Sequence, residues 1–186
     1  MERREYLKRI VQYGGCIGCL PLMSFHPDES SVQAQSDDFL KLKGEKEFIQ
    51  NWLTDLMDTI DKELDESAKQ KLMAGCGKGC FDRHKFKQDI AAQGKGNIDR
   101  LIEAYSKNFE IWKDGKAIHI RYGETSKGCY CPAARYRPAK SNDLHCECTR
   151  NTHKTIFETA LGKPVNIIIL ETVRRGGKTC HFMVEV

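Results

Sequence analysis

No stretch of this chain approaches the ~18–20 consecutive apolar residues that a membrane-spanning helix requires, so an integral span is excluded. Charge of one sign is also lacking. Thirty Lys and Arg stand against 26 Asp and Glu, a net +4, which is too mild and too mixed for a nucleic-acid binder. The signatures of common hydrolases are missing too. There is no Gly-x-Ser-x-Gly elbow and no His-Glu-x-x-His. The glycine-rich segment 75–80 carries Lys78, but Gly79 follows it where a phosphate loop needs Ser or Thr. No repeat of solenoid period occurs. A core is not lacking: hydrophobic residues make up 40% of the chain, which excludes global disorder. At roughly 100–200 residues per domain, the 186 residues suggest one globular unit plus a tail. Cysteine is the outlier, with nine residues.

The first 34 residues read as an address. Arg3-Arg4-Glu5-Tyr6-Leu7-Lys8 resembles the twin-arginine export signal, with Tyr6 in place of the usual Phe. A short, weakly apolar stretch follows over 10–25, then a polar segment ending Val32-Gln33-Ala34. Val and a small residue at those positions suit signal-peptidase cleavage after Ala34. The competing readings are a basic amphipathic helix of a cytoplasmic protein and a lipoprotein cut before Cys16. Export expects the twin-arginine machinery as a partner and a periplasmic or exported protein. Residues 35–186 would then form a single cysteine-rich domain. The leader removes four basic and four acidic residues, so the remainder keeps +4 (26 minus 22) and seven cysteines (nine minus Cys16 and Cys19).

Hydrophobic spacing predicts helices over 44–64, 66–73 and 81–92, and another beginning after Asn97. Gly75, Gly77 and Gly79 predict a loop or a tight helical end between the second and third. Asp114-Gly115 signals a hairpin, with Ile118, Ile120 and Tyr122 alternating after it. A helix is expected over 145–161 and a buried strand over 165–173. After a basic turn at Arg174-Arg175-Gly176-Gly177, expected to be solvated, a last strand should point Cys180, Phe182 and Val184 one way and His181 and Met183 the other. This order predicts an α+β fold: an antiparallel sheet with helices on one face and a helical N-terminal part.

Six of the seven remaining cysteines form close pairs: Cys76 with Cys80, Cys129 with Cys131, and Cys146 with Cys148. Thiolates at such spacing chelate one centre from one stretch of backbone, so two pairs would complete a four-sulfur shell for zinc or an iron–sulfur cluster. Disulfides are the alternative in an oxidising compartment; six cysteines allow 15 connectivities, and bridges between pairs are favoured over strained short rings. A third reading makes Cys148 a nucleophile, activated at the start of the helix over 145–161, with His145 as candidate base. Cys180 reads as a small buried apolar residue. His84 and His145 could complete a metal shell; His119 and His153 read as surface residues.

The C-terminal half carries a resemblance. Cys146-Glu-Cys148, a helix, Gly162-Lys163-Pro164-Val165, Glu171-Thr172-Val173-Arg174-Arg175-Gly176-Gly177 and Cys180-His181-Phe182 resemble a group of bacterial proteins. The group is related to the 2-aminothiazoline-4-carboxylate hydrolases and, more distantly, to small-molecule-binding domains of the 4-vinyl-reductase type. The resemblance covers about 129–186 closely and 44–128 in layout. It implies an α+β fold with a pocket between helices and sheet, and a small, apolar or sulfur-containing ligand. The favoured expectation is an exported small-molecule-binding domain with a metal or iron–sulfur site at the clustered cysteines. The alternatives are a thiol-dependent hydrolase of a small cyclic or amide substrate, and a disulfide-stapled binding protein without cofactor.

Overall fold

The structure, a computed structural model, describes residues 29–134 and 137–186. The twin-arginine motif, Cys16, Cys19 and the apolar leader stretch lie outside the described residues. The chain divides into two compact units, Met1–Leu42 and Lys43–Val186. Every candidate site residue of the sequence analysis lies in the second.

Helix α1 (Glu29–Glu63) begins earlier than the apolar spacing predicts. Of the apolar stripe, Met57 and Ile60 are buried, whereas Phe48, Ile49 and Trp52 are more than half exposed. Asp65 caps α2 (Glu66–Arg83), its carboxylate accepting the Ala68 N–H at 2.8 Å. The predicted loop over 75–79 is a correction: α2 runs unbroken through all three glycines. Each glycine disfavours a helix by about 1 kcal/mol relative to Ala, but packing outweighs that at Gly77. A Cβ there would lie 2.6 Å from the Asn151 Cβ and 2.8 Å from the Cys148 carbonyl oxygen. Only glycine lets α2 approach that closely. His84, in extended conformation, ends α2 and starts α3 (Lys85–Gln93). Asn97 caps α4 (Ile98–Ser106) as expected, its side-chain oxygen accepting from the backbone of Asp99 and Arg100.

Strands β1 (Glu110–Asp114) and β2 (Ala117–Arg121) form the expected hairpin, with Gly115 at a φ of 59° in its turn. Helix α5 (His145–Leu161) follows the cysteine-containing segment, then β3 (Asn166–Glu171) and β4 (His181–Glu185). The sheet order is β1-β2-β4-β3, antiparallel throughout. Alternation puts Ile118, Ile120, Ile167, Phe182 and Val184 on one face. They are buried with Leu101 and Tyr105 of α4 and Ile156, Phe157 and Ala160 of α5. Across the sheet His119, Met183 and Ile168 stand in register on the outer face. The α+β architecture with helices on one face is therefore the observed one.

The basic turn is a second correction. Arg174, in the short 3-10 turn Val173–Arg175, is buried rather than solvated. Its guanidinium donates four hydrogen bonds. Nε donates to the Asp143 carboxylate at 2.7 Å, and Nη2 is ion-paired with the same oxygen at 2.5 Å. Nη1 donates to the carbonyls of Ala134 and Arg137, and Nη2 to that of Pro138. Burying a charge is tolerable only when it is paired and hydrogen-bonded, and Arg174 is both. The turn thereby ties the segment after Cys131 to the end of β3.

Candidate functional site

A concavity of about 1110 Å³ lies beside the paired cysteines, slightly above the ~300–1,000 Å³ typical of ligand sites. It opens between α2, α3, α5, the start of β1 and the loop around Cys131. Aromatic rings of Phe86, Phe109, Tyr122 and Tyr130 supply much of its wall. Cys80, Cys131 and Cys148, one from each sequence pair, face it together.

Continuing α2 through the glycines is what brings these thiols together. Cys76 and Cys80, four residues apart on a helix, share one face, and Gly77 between them seats α2 against α5, where Cys148 lies. The Cys148 thiol is pushed up to about 12, first by burial and then by the thiols of Cys76, Cys80 and Cys131 around it. Burial also raises Cys131, with Cys129 and Cys80 adding to the effect. The Lys87 ammonium donates to the Cys80 sulfur at 2.8 Å. Cys76, Cys80 and Cys131 thus lie near Cys148, with Lys87 against Cys80, and part of the expected convergence is present.

The rest is not. Cys146 points away from the cavity; its sulfur lies 3.0 Å from the Thr172 hydroxyl, and burial pushes its thiol up to about 11. Cys129 lines a separate hollow of about 420 Å³ over 125–130. Cys180 is buried, as expected of a small apolar residue. All seven described cysteines are free thiols. Among the described residues, no three Cys, His, Asp or Glu side chains converge closely enough to hold a metal ion.

The nucleophile reading meets a different environment from the one expected. A helix N-terminus favours thiolate, but burial and three neighbouring thiols outweigh it at Cys148. His145 makes no hydrogen bond to Cys148 among the described residues. Burial holds its imidazole below the usual range, and its neighbours are Asp143, Arg137 and Arg174.

The sequence reading missed the buried centre of the cavity wall. His153, expected at the surface, is 2% exposed. Its Nδ1 lies 3.2 Å from the Tyr105 hydroxyl and its Nε2 3.0 Å from the Tyr122 hydroxyl. Phe182 and Phe109 pack on the imidazole at centroid distances of 5.0 and 5.7 Å, and Phe109 stacks on Tyr122 at 4.7 Å. Burial, reinforced by Lys87, pushes His153 down to about 3. It is neutral at any physiological pH, and burial likewise raises both tyrosines far above their ordinary value. A signal for this was present. Position 153 precedes Ile156 by three and Phe157 by four, on the apolar stripe of α5. His84, at the break between α2 and α3, also lines the cavity. His119 is half-buried rather than simply at the surface: it stacks on Trp112 at 5.0 Å and sits 2.9 Å from His181 on the outer face of the sheet.

A family model matches residues 34–185, that of the family of unknown function DUF6144. The chain belongs to this family. No curated protein matches it. Among solved structures, it is similar to the phenol-responsive sensory domain of the transcription activator PoxR crystallised with phenol. The two are 8% identical over 74% of this chain and 73% of that one, with a TM-score of 0.39.

Proposed function

We propose that this DUF6144 protein is a small-molecule-binding domain whose ligand occupies the cavity beside Cys80, Cys131 and Cys148. The observation that carries the reading is the cavity itself: about 1110 Å³ with a mostly apolar wall that includes Phe86, Phe109, Trp112, Tyr122 and Tyr130, and a few polar groups held in fixed positions around His153. Concave, mostly apolar hollows with a few converging polar groups are the usual form of a ligand site. Ile156 of α5 both lines the cavity and belongs to the core. The test is a binding titration with naphthalene-sized aromatic probes, followed by the fluorescence of the bound probe, in the wild type and in Ile156→Trp. Binding by the wild type that is lost on filling the cavity supports the reading; equal binding by both sinks it.

The domain is proposed to act outside the cytoplasm. Supporting this is the order of arginine pair, apolar stretch and cleavage sequence over 1–34. The family match also starts at residue 34, so the address-like segment stands apart from the shared sequence. A full-length fusion to a reporter active only after export should lose its signal on Arg3→Lys with Arg4→Lys. Undiminished signal in the pair variant removes twin-arginine export.

One observation favours a second function for the same wall: Cys76, Cys80 and Cys131 all bear electrostatically on Cys148. Four thiols of that chemistry suit a soft metal, zinc or an iron–sulfur cluster. As arranged, they do not fit an ion, so a metal centre would require the side chains to turn inward. Anaerobic purification with zinc, iron and sulfide analysis decides. Stoichiometric metal that is lost in Cys148→Ala and kept in Cys146→Ala supports a centre; metal-free protein with every thiol free removes it. Thiol-dependent hydrolysis has less support, because a thiol pushed up to about 12 remains protonated at neutral pH.

A further inference from the structure

From the hydrogen-bonding protons at His153 we infer that the Tyr122 hydroxyl is a donor aimed into the cavity, and that the ligand is a flat aromatic molecule bearing an unprotonated oxygen acceptor such as a carbonyl. This rests on the cavity being the ligand site.

The count runs over three side chains. A neutral imidazole has one N–H and one bare nitrogen, and each tyrosine brings one O–H. Three protons therefore meet two hydrogen bonds, Tyr105 to Nδ1 and Tyr122 to Nε2. One proton is left over, and its position depends on the tautomer. If Nδ1 carried the imidazole proton, Tyr105 would have to accept it and leave its own O–H without a partner. Tyr105 is 0% exposed, has no second acceptor among the described residues and does not line the cavity. A buried hydroxyl without a partner is strongly disfavoured. So Tyr105 donates to Nδ1, Nε2 carries the proton and donates to the Tyr122 oxygen, and the spare O–H belongs to Tyr122.

Tyr122 is the one of the two that faces the cavity. Its oxygen already accepts from His153, and that polarisation strengthens the outgoing donor. The neighbouring wall is aromatic: Phe109 stacks on Tyr122, and Tyr130 meets its ring at 5.7 Å. A planar ring fits against Phe109 and Tyr130 while its oxygen takes the Tyr122 proton. A hydroxyl ligand that only donates would leave that proton unused.

Two measurements test this. In protein with 15N-labelled histidine, the ring-nitrogen shifts of His153 should show the Nε2–H tautomer; the Nδ1–H tautomer overturns the inference without any variant. The second uses two probes of nearly the same shape, 2-acetylnaphthalene and 2-isopropenylnaphthalene, which differ in carbonyl oxygen against methylene. Wild-type protein should bind the ketone roughly three- to tenfold more tightly, the range one net neutral hydrogen bond supplies. In Tyr122→Phe the ratio should fall to about one while the hydrocarbon still binds. Equal affinities in the wild type overturn the donor assignment and leave the cavity reading standing. Failure of both probes to bind removes the cavity reading, and this inference with it.

Discussion

Lowering the pH should unfold this protein through His153, and the loss is calculable. An imidazole in the unfolded chain titrates near 6.5, whereas His153 in the fold is pushed down to about 3, first by burial and then by the Lys87 charge. The folded state thus refuses a proton that the unfolded state accepts. With the folded value below the unfolded one for a base, the contribution is whole above pH 6.5. It is lost as the pH falls from there toward 3. Each unit is worth about 1.4 kcal/mol. The gap between 6.5 and about 3 then corresponds to roughly 5 kcal/mol in all, of which about 2 kcal/mol is gone by pH 5. That is a large part of the ~5–15 kcal/mol that holds a typical domain together. The assay is urea unfolding at several pH values between 7 and 4.5, for the wild type and for His153→Gln. The lower limit matters. Asp61 is held below its usual value, chiefly by its hydrogen bond to Lys140, so its own contribution disappears below about pH 4. His145 and His181 are also lowered, mainly by burial, and comparison with the variant subtracts them. The wild-type stability should fall more steeply than the variant's by about 1 kcal/mol per pH unit around pH 5. Parallel slopes, or a His153 ring that titrates near 6.5 by NMR, would refute the reasoning.

Three further outcomes are expected. Gly77→Ala adds a methyl 2.6 Å from the Asn151 Cβ and against α5 backbone; overpacking of ~1–3 kcal/mol should exceed the ~1 kcal/mol gained in helix propensity, so the denaturation midpoint falls, and a rise would show that α2 does not lie so close. Arg174→Ala leaves the buried Asp143 carboxylate with only the His145 N–H and the more distant Arg137, and the Arg137 and Pro138 carbonyls without this donor, so a loss of about 3 kcal/mol is expected in the same assay; a loss below 1 kcal/mol would contradict the burial. Brief iodoacetamide treatment at pH 8 should label exposed Cys76 well before Cys146, whose thiol is buried and pushed up to about 11; mass spectrometry of peptides finding equal rates would count against the placement of Cys146.

The architecture was legible because it rests on periodicity. Alternation at Ile118 and Ile120, and at Phe182 and Val184, marks one face of a sheet without knowledge of what packs there, and Asn97 announces its helix by a local hydrogen bond. The misreadings share one cause: each involves a residue whose local preference is overruled by a distant partner. Three glycines in five positions argue against a helix until α5 is set beside them. Arg174 looks solvated until Asp143 and three carbonyls, all 30 to 40 positions earlier, close around it. His153 looks like a surface residue until Tyr105, 48 positions away, and Tyr122, 31 away, meet its two nitrogens. The cysteine doublets were read as units, and the fold divides two of them. On α5, Cys146 and Cys148 are two positions apart, about 200° of helix rotation, so one turns toward Thr172 and the other toward the cavity.

The same crossing of α2 and α5 explains why thiols and cavity share a wall. Gly77 removes the only side chain at the closest approach, and the Thr152 hydroxyl then reaches the Gly77 carbonyl at 3.2 Å. One turn along α5 from that contact lies Cys148; flanking Gly77 on α2 are Cys76 and Cys80. One position beyond Thr152 is His153, whose neutral ring anchors Tyr122. A ligand lying against Tyr122 therefore leans on the residue that follows the helix contact, and a displacement of α2 moves Cys80 relative to the ligand. Gly77→Ala should accordingly do two things at once: weaken binding of an aromatic probe in the cavity, and lower the Cys148 thiol from about 12, as the surrounding thiols withdraw and water enters. The thiol titration is read by absorbance near 240 nm against Cys148→Ala. If probe affinity falls while the Cys148 titration stays put, the cavity and the thiol group are independent features that happen to be adjacent. If both shift together, the helix crossing is the common support.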